Sequence, residues 1–320
     1  MANSDGRALA AAAERRGLAD ASHPQWNLDA IVSELRLSRE VSHRIRRPGA
    51  IRRTPSRDAL VKIMNGLSAA LFPTHYGQRE FVAESIDYFV GNELNSALVA
   101  LVEQVRRSLS FTSEDGIGED ELLSEAWSIA SEFAGALPSI RGLLVSDLRA
   151  AFDGDPAATN YPEILIGYPG MTAIIYHRLA HPLHKLGATF LARVISDIAH
   201  STTGIDIHPA AEIGPSFFID HGTGVVIGET TIIGSRVRLY QAVTLGAKRF
   251  PTDATGALVK GAPRHPIIED DVVIYAGATV LGRITIGKGS TIGGNVWLTH
   301  SVPPGSHVSQ AQTRNAENAD

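Results

Sequence analysis

Hydrophobic positions follow two different periods along the chain. From Trp26 to about His200 the spacing is helical, with Ile31, Leu35, Val41 and Ile45 recurring at intervals of four to six. Ser56 and Asp58 precede Leu60, Ile63, Met64, Leu67 and Leu71, which predicts an N-capped amphipathic helix ended by Pro73. The same period predicts helices over 81–109, 119–137 (closed by Pro138), 139–152 and 171–199, with 153–170 a connection punctuated by Pro and Gly. Residues 1–25 are Ala, Arg and Ser with little apolar content and read as a mobile tail.

At Ile205 the period becomes six. Aliphatic residues stand at Ile207, Ile213, Ile219 and Val225, then, after a slip of two, at Ile227, Ile233, Leu239 and Leu245. The frame returns at Ile268, Ile274, Val280, Ile286, Ile292 and Leu298. Six is neither a helical period nor strand alternation; it marks a repeat. Each hexad predicts one short strand and one turn. Three hexads complete a coil, and roughly four to five coils stack their aliphatic residues inside a triangular prism. A chance pattern in a β-sandwich would not keep phase over so many positions. Pro303-Pro304-Gly305 is expected to stop the last coil. The predicted organisation is a helical domain over 26–200, a β-helix over 201–305 with a loop protruding at 246–267, and a C-terminal tail over 306–320. The fold class is α+β, an all-α domain followed by a parallel β-helix.

Composition narrows the chemistry. The 320 residues carry a net charge of −5, so no basic footprint for nucleic acid is visible. Cys is absent, which removes disulfides, thiolate metal sites and cysteine nucleophiles, and fits a reducing cytoplasm. No apolar run reaches the ~18–20 residues of a membrane span. The run Leu9–Ala13, closed by Glu14-Arg15-Arg16, is too short and too charged for a signal peptide. The expectation is a soluble cytoplasmic protein with no nucleic-acid or membrane partner.

Hexapeptide left-handed β-helices serve mostly acyltransferases, and local motifs narrow that class. Asp206-Ile-His208-Pro-Ala-Ala-Glu-Ile-Gly is followed by Phe218-Ile-Asp220-His221-Gly-Thr-Gly-Val-Val-Ile-Gly-Glu229, Gln241-Ala-Val-Thr-Leu-Gly246 and Arg264-His265-Pro266. In this order they resemble serine O-acetyltransferase, of the extended-loop bacterial subgroup. Leu148-Arg-Ala-Ala-Phe-Asp-Gly-Asp155-Pro-Ala is similar to the family's segment joining helices to substrate site. The resemblance covers about 140–305 with specific motifs and the earlier helices in outline. Two features depart from it. Ser306-His-Val-Ser-Gln stands where the family commonly has Gly-x-Pro-Ala-Arg/Lys near acetyl-CoA. The chain ends Glu317-Asn-Ala-Asp320, where members that bind cysteine synthase end in Ile, so that complex is not expected through this C-terminus.

The resemblance implies acetyl transfer from acetyl-CoA to L-serine, giving O-acetyl-L-serine and CoA, the first step of cysteine biosynthesis. It implies acetyl-CoA as co-substrate, no permanently bound cofactor, L-cysteine as feedback inhibitor and a homotrimer, with pairing of two trimers left open. Such transfer needs a base for the hydroxyl and stabilisation of an oxyanion. His221 suits the base, because neutral imidazole titrates near working pH and Gly222 and Gly224 leave space beside it. Asp206, fifteen residues upstream, is about one coil away and is placed to orient it. The family has this dyad at the matching positions, with His265 as a further catalytic residue. Asp155 and Asp220 match its ammonium contacts. Arg264 can grip a carboxylate bidentately. Glu229 matches a position near the catalytic His, or is simply a polar turn residue. Gly246, Ala247, Ala276, Gly282 and Gly294 match positions beside CoA. Lys248, Arg249 and Lys260 either meet its phosphates or are solvated loop residues.

Other readings remain. His177, His181 and His184 share a helical face that metal sites use, but Pro182 is expected to interrupt that helix, and no metal is predicted. His208, His221, His265 and His300 lack the ligand spacing of β-helical carbonic anhydrases. Acetylation of homoserine or a sugar hydroxyl, or a silent scaffold, are the alternatives in function. Asp155, Asp220 and Arg264 together favour an amino acid.

Overall fold

The structure is a computed structural model of the 320-residue chain that describes residues 26–42, 52–77, 85–112, 117–249 and 252–310. The expected tails at 1–25 and 311–320 lie outside the described residues. The chain divides into two compact units, 1–51 and 52–320. In the first, helix α1 (Leu28–Leu37) starts at Asn27, whose side chain accepts from the Ala30 N–H, and continues as one π-helical turn, Ser38–Ser42.

The second unit opens with α2 (Arg57–Leu71), capped by Ser56 and burying Leu60, Ile63, Met64, Leu67 and Leu71, as its spacing predicts. A short turn, α3 (Pro73–Tyr76), leads to α4 (Ile86–Thr112), which packs on α2. Pro138 does not end the next helix. Helix α5 runs unbroken from Glu119 to Gly154 with Pro138 inside it. Ile129, Ala130 and Phe133 are buried before that proline and Leu137, Ile140 and Leu144 around and after it. Burial of about 1.5–3 kcal/mol per large side chain outweighs the ~3 kcal/mol cost of an interior proline.

The connection at 153–170 also holds a helix, α6 (Tyr161–Gly167). Asn160 accepts from the Glu163 N–H, and Glu163 accepts from the N–H and hydroxyl of Thr159, a local cap that outweighs the nearby prolines. The span 171–199 is two helices, α7 (Pro169–Lys185) and α8 (Thr189–Thr203). They part at Gly187, where φ is +93°, rather than at Pro182, which lies inside α7.

Among the described residues strands then follow in fourteen short pieces. One sheet holds β1 (Asp206–Ile207), β4 (Val226–Ile227), β7 (Thr244–Gly246), β10 (Thr279–Leu281) and β13 (Trp297–Leu298). A second holds β2 (Glu212–Ile213), β5 (Ile232–Ile233), β8 (Ile267–Ile268) and β11 (Thr285–Ile286). The third holds β3 (Phe218–Ile219), β6 (Arg238–Leu239), β9 (Val273–Ile274), β12 (Thr291–Ile292) and β14 (His307–Val308). All pairings between these fourteen strands are parallel and each sheet takes one strand per coil, as a left-handed β-helix requires. The stacked interior is the predicted set: Ile207, Ile227, Leu245, Val280 and Leu298 along one sheet and Ile219, Leu239, Ile274 and Ile292 along another. Pro303-Pro304-Gly305 does not stop the last coil. These residues form one more corner, and β14 pairs with β12 beyond it, since a proline at a corner has no ladder bond to lose.

Helices and prism join through buried charge. Arg178 on α7 donates to both oxygens of Asp147 on α5 at 3.0 Å each, and to the carbonyls of Ile213 (2.5 Å) and Gly214 (2.6 Å). Asp147 also accepts from the Phe217 N–H at 2.8 Å.

Candidate active site

The corners of the prism decide where the chemistry falls. The corner between the third and first sheets carries residues 220–225 in one coil and, in later coils, the turns holding Ala276 and Gly294. The corner between the first and second sheets carries 228–231, the loop from Ala247 to Pro266, and Gly282. These corners bound opposite sides of the first sheet. Six of the predicted site residues fall along each side.

At the first edge the two-residue slip proves to be the insertion that carries the histidine. Ile219 to Ile227 spans eight residues instead of six, and the extra length turns through His221, Gly222 and Gly224 at φ +58°, +91° and +80°. A left-handed corner residue recurs at Ser216, Arg236, Ala242, Asp271 and Asn295, so this backbone at His221 belongs to the repeat and is not stored strain. The His221 side chain is 71% exposed, with Nδ1 3.8 Å from Oδ1 of Asp220. The carboxylate within ion-pair reach is thus that of Asp220. Asp206 opens β1, paired with Val226, on the outer face of the first sheet.

Asp155, the residue that ends α5, reaches the same edge. It accepts from the Tyr168 hydroxyl at 2.6 Å and from the Ala157 N–H at 2.8 Å. The tyrosine hydrogen bond, then the backbone one, hold its carboxyl below the usual range, with the His221 and Arg238 charges adding to them. The same bond pushes Tyr168 up to about 12. Arg238 lies over the Phe218 ring, 5.5 Å from its centroid. Tyr168 and Arg238 were not legible as site residues, because neither belongs to a motif and only the fold brings them to Asp155.

The second edge is basic. Arg264 donates to Glu229 at 2.5 Å. Burial pushes the Glu229 carboxyl up, but the Arg264 bond and charge outweigh it and the net shift is downward. His265 is buried, and burial first, then the Arg264 charge, lowers it to about 4. His208 is likewise lowered to about 4, by burial and then Arg193. Gly228 is required beside His265, since a Cβ there would stand 2.0 Å from the ring Cδ2. Next to this cluster the loop borders an open cavity of about 270 Å³ lined by Lys248, Arg249, Arg264, Gly282 and Arg283. Gly282 has φ +95°, and a Cβ on it would meet that of Lys248 at 3.2 Å. Lys260 does not line this cavity.

The α7 histidines do not converge on a common point. His181 Nδ1 bonds the Pro209 carbonyl at 2.8 Å, His184 stands edge-on to His208, and His177 is buried. Among the described residues no group of three or more His, Asp or Glu is arranged to hold a metal ion.

A left-handed β-helix with an exposed histidine between acids on one edge and a basic cleft on another defines a hexapeptide-repeat acyltransferase. Residues 265–300 match the family described as bacterial transferase hexapeptide (six repeats). Over 295 residues, 90% of this chain and 92% of the relative, the sequence is 57% identical to the plasmid serine acetyltransferase of Synechococcus elongatus. The chain belongs to the serine acetyltransferase family. Its fold is similar to Entamoeba histolytica serine acetyltransferase 1 in complex with L-cysteine, at TM-score 0.68 and 36% identity over 86% of this chain and 94% of that one. It is also similar to Neisseria gonorrhoeae serine acetyltransferase in complex with serine, at TM-score 0.51 and 28% identity over 79% of this chain and 95% of that one.

Proposed function

We propose that this enzyme transfers the acetyl group of acetyl-CoA to the hydroxyl of L-serine within one ternary complex, in the cytoplasm, as the first step of cysteine biosynthesis. The observation that carries this is the division of charge between the two edges. Asp155 and Asp220 offer carboxylates for an ammonium beside His221, while Arg264 offers a guanidinium for a carboxylate. Together they fit a zwitterion and have no evident use for a sugar.

His221 takes the serine hydroxyl proton as the oxygen attacks the thioester carbonyl. The tetrahedral oxyanion collapses, the carbon–sulfur bond breaks, and the leaving thiolate recovers the proton from the imidazolium. Asp206 and Asp220 orient and stabilise the ring. The cationic cavity beside Gly246, Ala247 and Gly282 receives phosphates of CoA, while Ala276 and Gly294 line the other wall of its groove. L-cysteine, with the same ammonium and carboxylate, competes for the serine site. A thiol-release assay against serine, homoserine and sugars tests the acceptor. Serine alone should release CoA at a substantial rate, and release with a sugar in its place would overturn the assignment.

The two edges cannot face one another within one prism. We therefore propose a homotrimer in which the His221 edge of one copy meets the Arg264 edge of the next, each site being shared. Mixing inactive H221A and R264A chains by joint refolding should restore activity, because some interfaces then combine two intact edges. Absence of any recovery, with trimers formed, would place both edges of a site in one copy.

A further inference from the structure

The turn that carries Arg264 and His265 is held by a residue outside the motif. Thr230 Oγ1 accepts from the backbone N–H of Arg264 at 2.9 Å and of His265 at 3.1 Å. Both its acceptor positions are thus used, and its own proton is left for His265 Nδ1, 2.9 Å away. The backbone N–H of Thr230 also points at Nδ1, at 3.0 Å. A backbone N–H only donates, so Nδ1 must be the unprotonated nitrogen. Arg283 braces the same pair by donating to the carbonyls of Thr230 (2.6 Å) and His265 (3.1 Å).

We propose that Thr230 is a positioning residue that fixes His265 in the tautomer protonated at Nε2, so that His265 serves the reaction as a neutral hydrogen-bond donor and not as a base. The charged groups acting on the ring are Arg264, Glu229 and Arg283, and the titratable ring of His208 interacts with it. A second proton on Nδ1 would confront the Thr230 N–H, in keeping with the lowered affinity of this ring for protons. The donor hydrogen at Nε2 is then available to an acceptor of the substrate, its carboxylate or the oxyanion, and proton removal falls to His221 alone. The substrate role rests on the serine-acetylating reading above; the tautomer does not.

Two-bond nitrogen–proton spectra of the intact protein labelled with ¹⁵N-histidine, His265 being assigned with an H265Q variant, test the first part without any substrate. The expected signature is an Nε2–H ring that stays neutral from pH 8 to about pH 5. An Nδ1–H ring, or one that titrates near the ordinary histidine value, overturns the proposal. Thr230→Val leaves the Arg264 and His265 N–H groups without their acceptor, so the turn is freed from the Thr230 N–H as well. It is expected to mix the tautomers and to raise KM for serine roughly tenfold, with a smaller rise in KM for acetyl-CoA. Thr230→Ser, which keeps the hydroxyl, should restore both. Wild-type spectra and serine KM in a folded Thr230→Val protein would remove Thr230 from this role. Because the spectra need no acceptor, they decide the tautomer whether or not serine proves to be the substrate.

Discussion

Replacing His221 with alanine is expected to lower turnover by ~10²–10⁴, the span for loss of a general base, with the fold intact. The size of the effect follows from how the other histidines are committed. His265 has its Nδ1 occupied by Thr230, His208 Nδ1 accepts from the Ala210 N–H at 3.1 Å, and His181 Nδ1 bonds the Pro209 carbonyl. Among the described residues no hydrogen bond ties up either ring nitrogen of His221, and its exposed ring stands where a hydroxyl can reach it. The loss should therefore appear in kcat, while KM for serine, which the proposed mechanism assigns to Asp155, Asp220 and Arg264, should move much less. Circular dichroism separates this from unfolding. Near-normal turnover in a folded H221A protein would take His221 out of the base role.

The β-helix was legible because its core obeys a sequence rule. An inward residue recurs every six positions, and Ile207, Leu245, Ile274 and Leu298 announce themselves without any long-range information. Even the slip at Val225–Ile227 was readable, though not that its two extra residues carry His221 outward. The helices were less so. Pro138 and Pro182 follow a local rule that burial of Phe133, Leu144 and Leu183 overrides, and only packing reveals that. The Asn160 cap of α6 was present in the sequence but masked by its prolines. Candidate site residues can be named from the sequence where a motif holds them. What could not be read is which edge each occupies, because that depends on where strands end and corners begin. Tyr168, Thr230, Arg238 and Arg283 act through contacts with residues between 13 and 83 positions away, and no local pattern marks them.

The other large effect is expected at the clamp between helices and prism. Asp147 and Arg178 are almost fully buried, at 0% and 5% side-chain exposure. Burial pushes the Asp147 carboxyl up, opposed by the adjacent guanidinium, so the ionised pair adds little net stability while fixing geometry. Removing one partner is a different matter, because it strands a buried charge. Arg178→Met also leaves the Ile213 and Gly214 carbonyls without their donor. The expected cost is about 3–5 kcal/mol, read by denaturant unfolding. Asp147→Leu should cost a similar amount through the stranded guanidinium and the unpaired Phe217 N–H. The double variant should be clearly less unstable than the sum of the two, with a coupling of about 0.5–3 kcal/mol. The clamp also bears on chemistry. Asp147 lies two turns before Asp155 on α5, and Arg178 lies on the helix that begins just after Tyr168. Loosening it should let Asp155 drift from Asp220 and raise KM for serine in whatever fraction stays folded. Strictly additive single variants, or singles as stable as the wild type, would show that the helices are held to the prism by apolar contact alone.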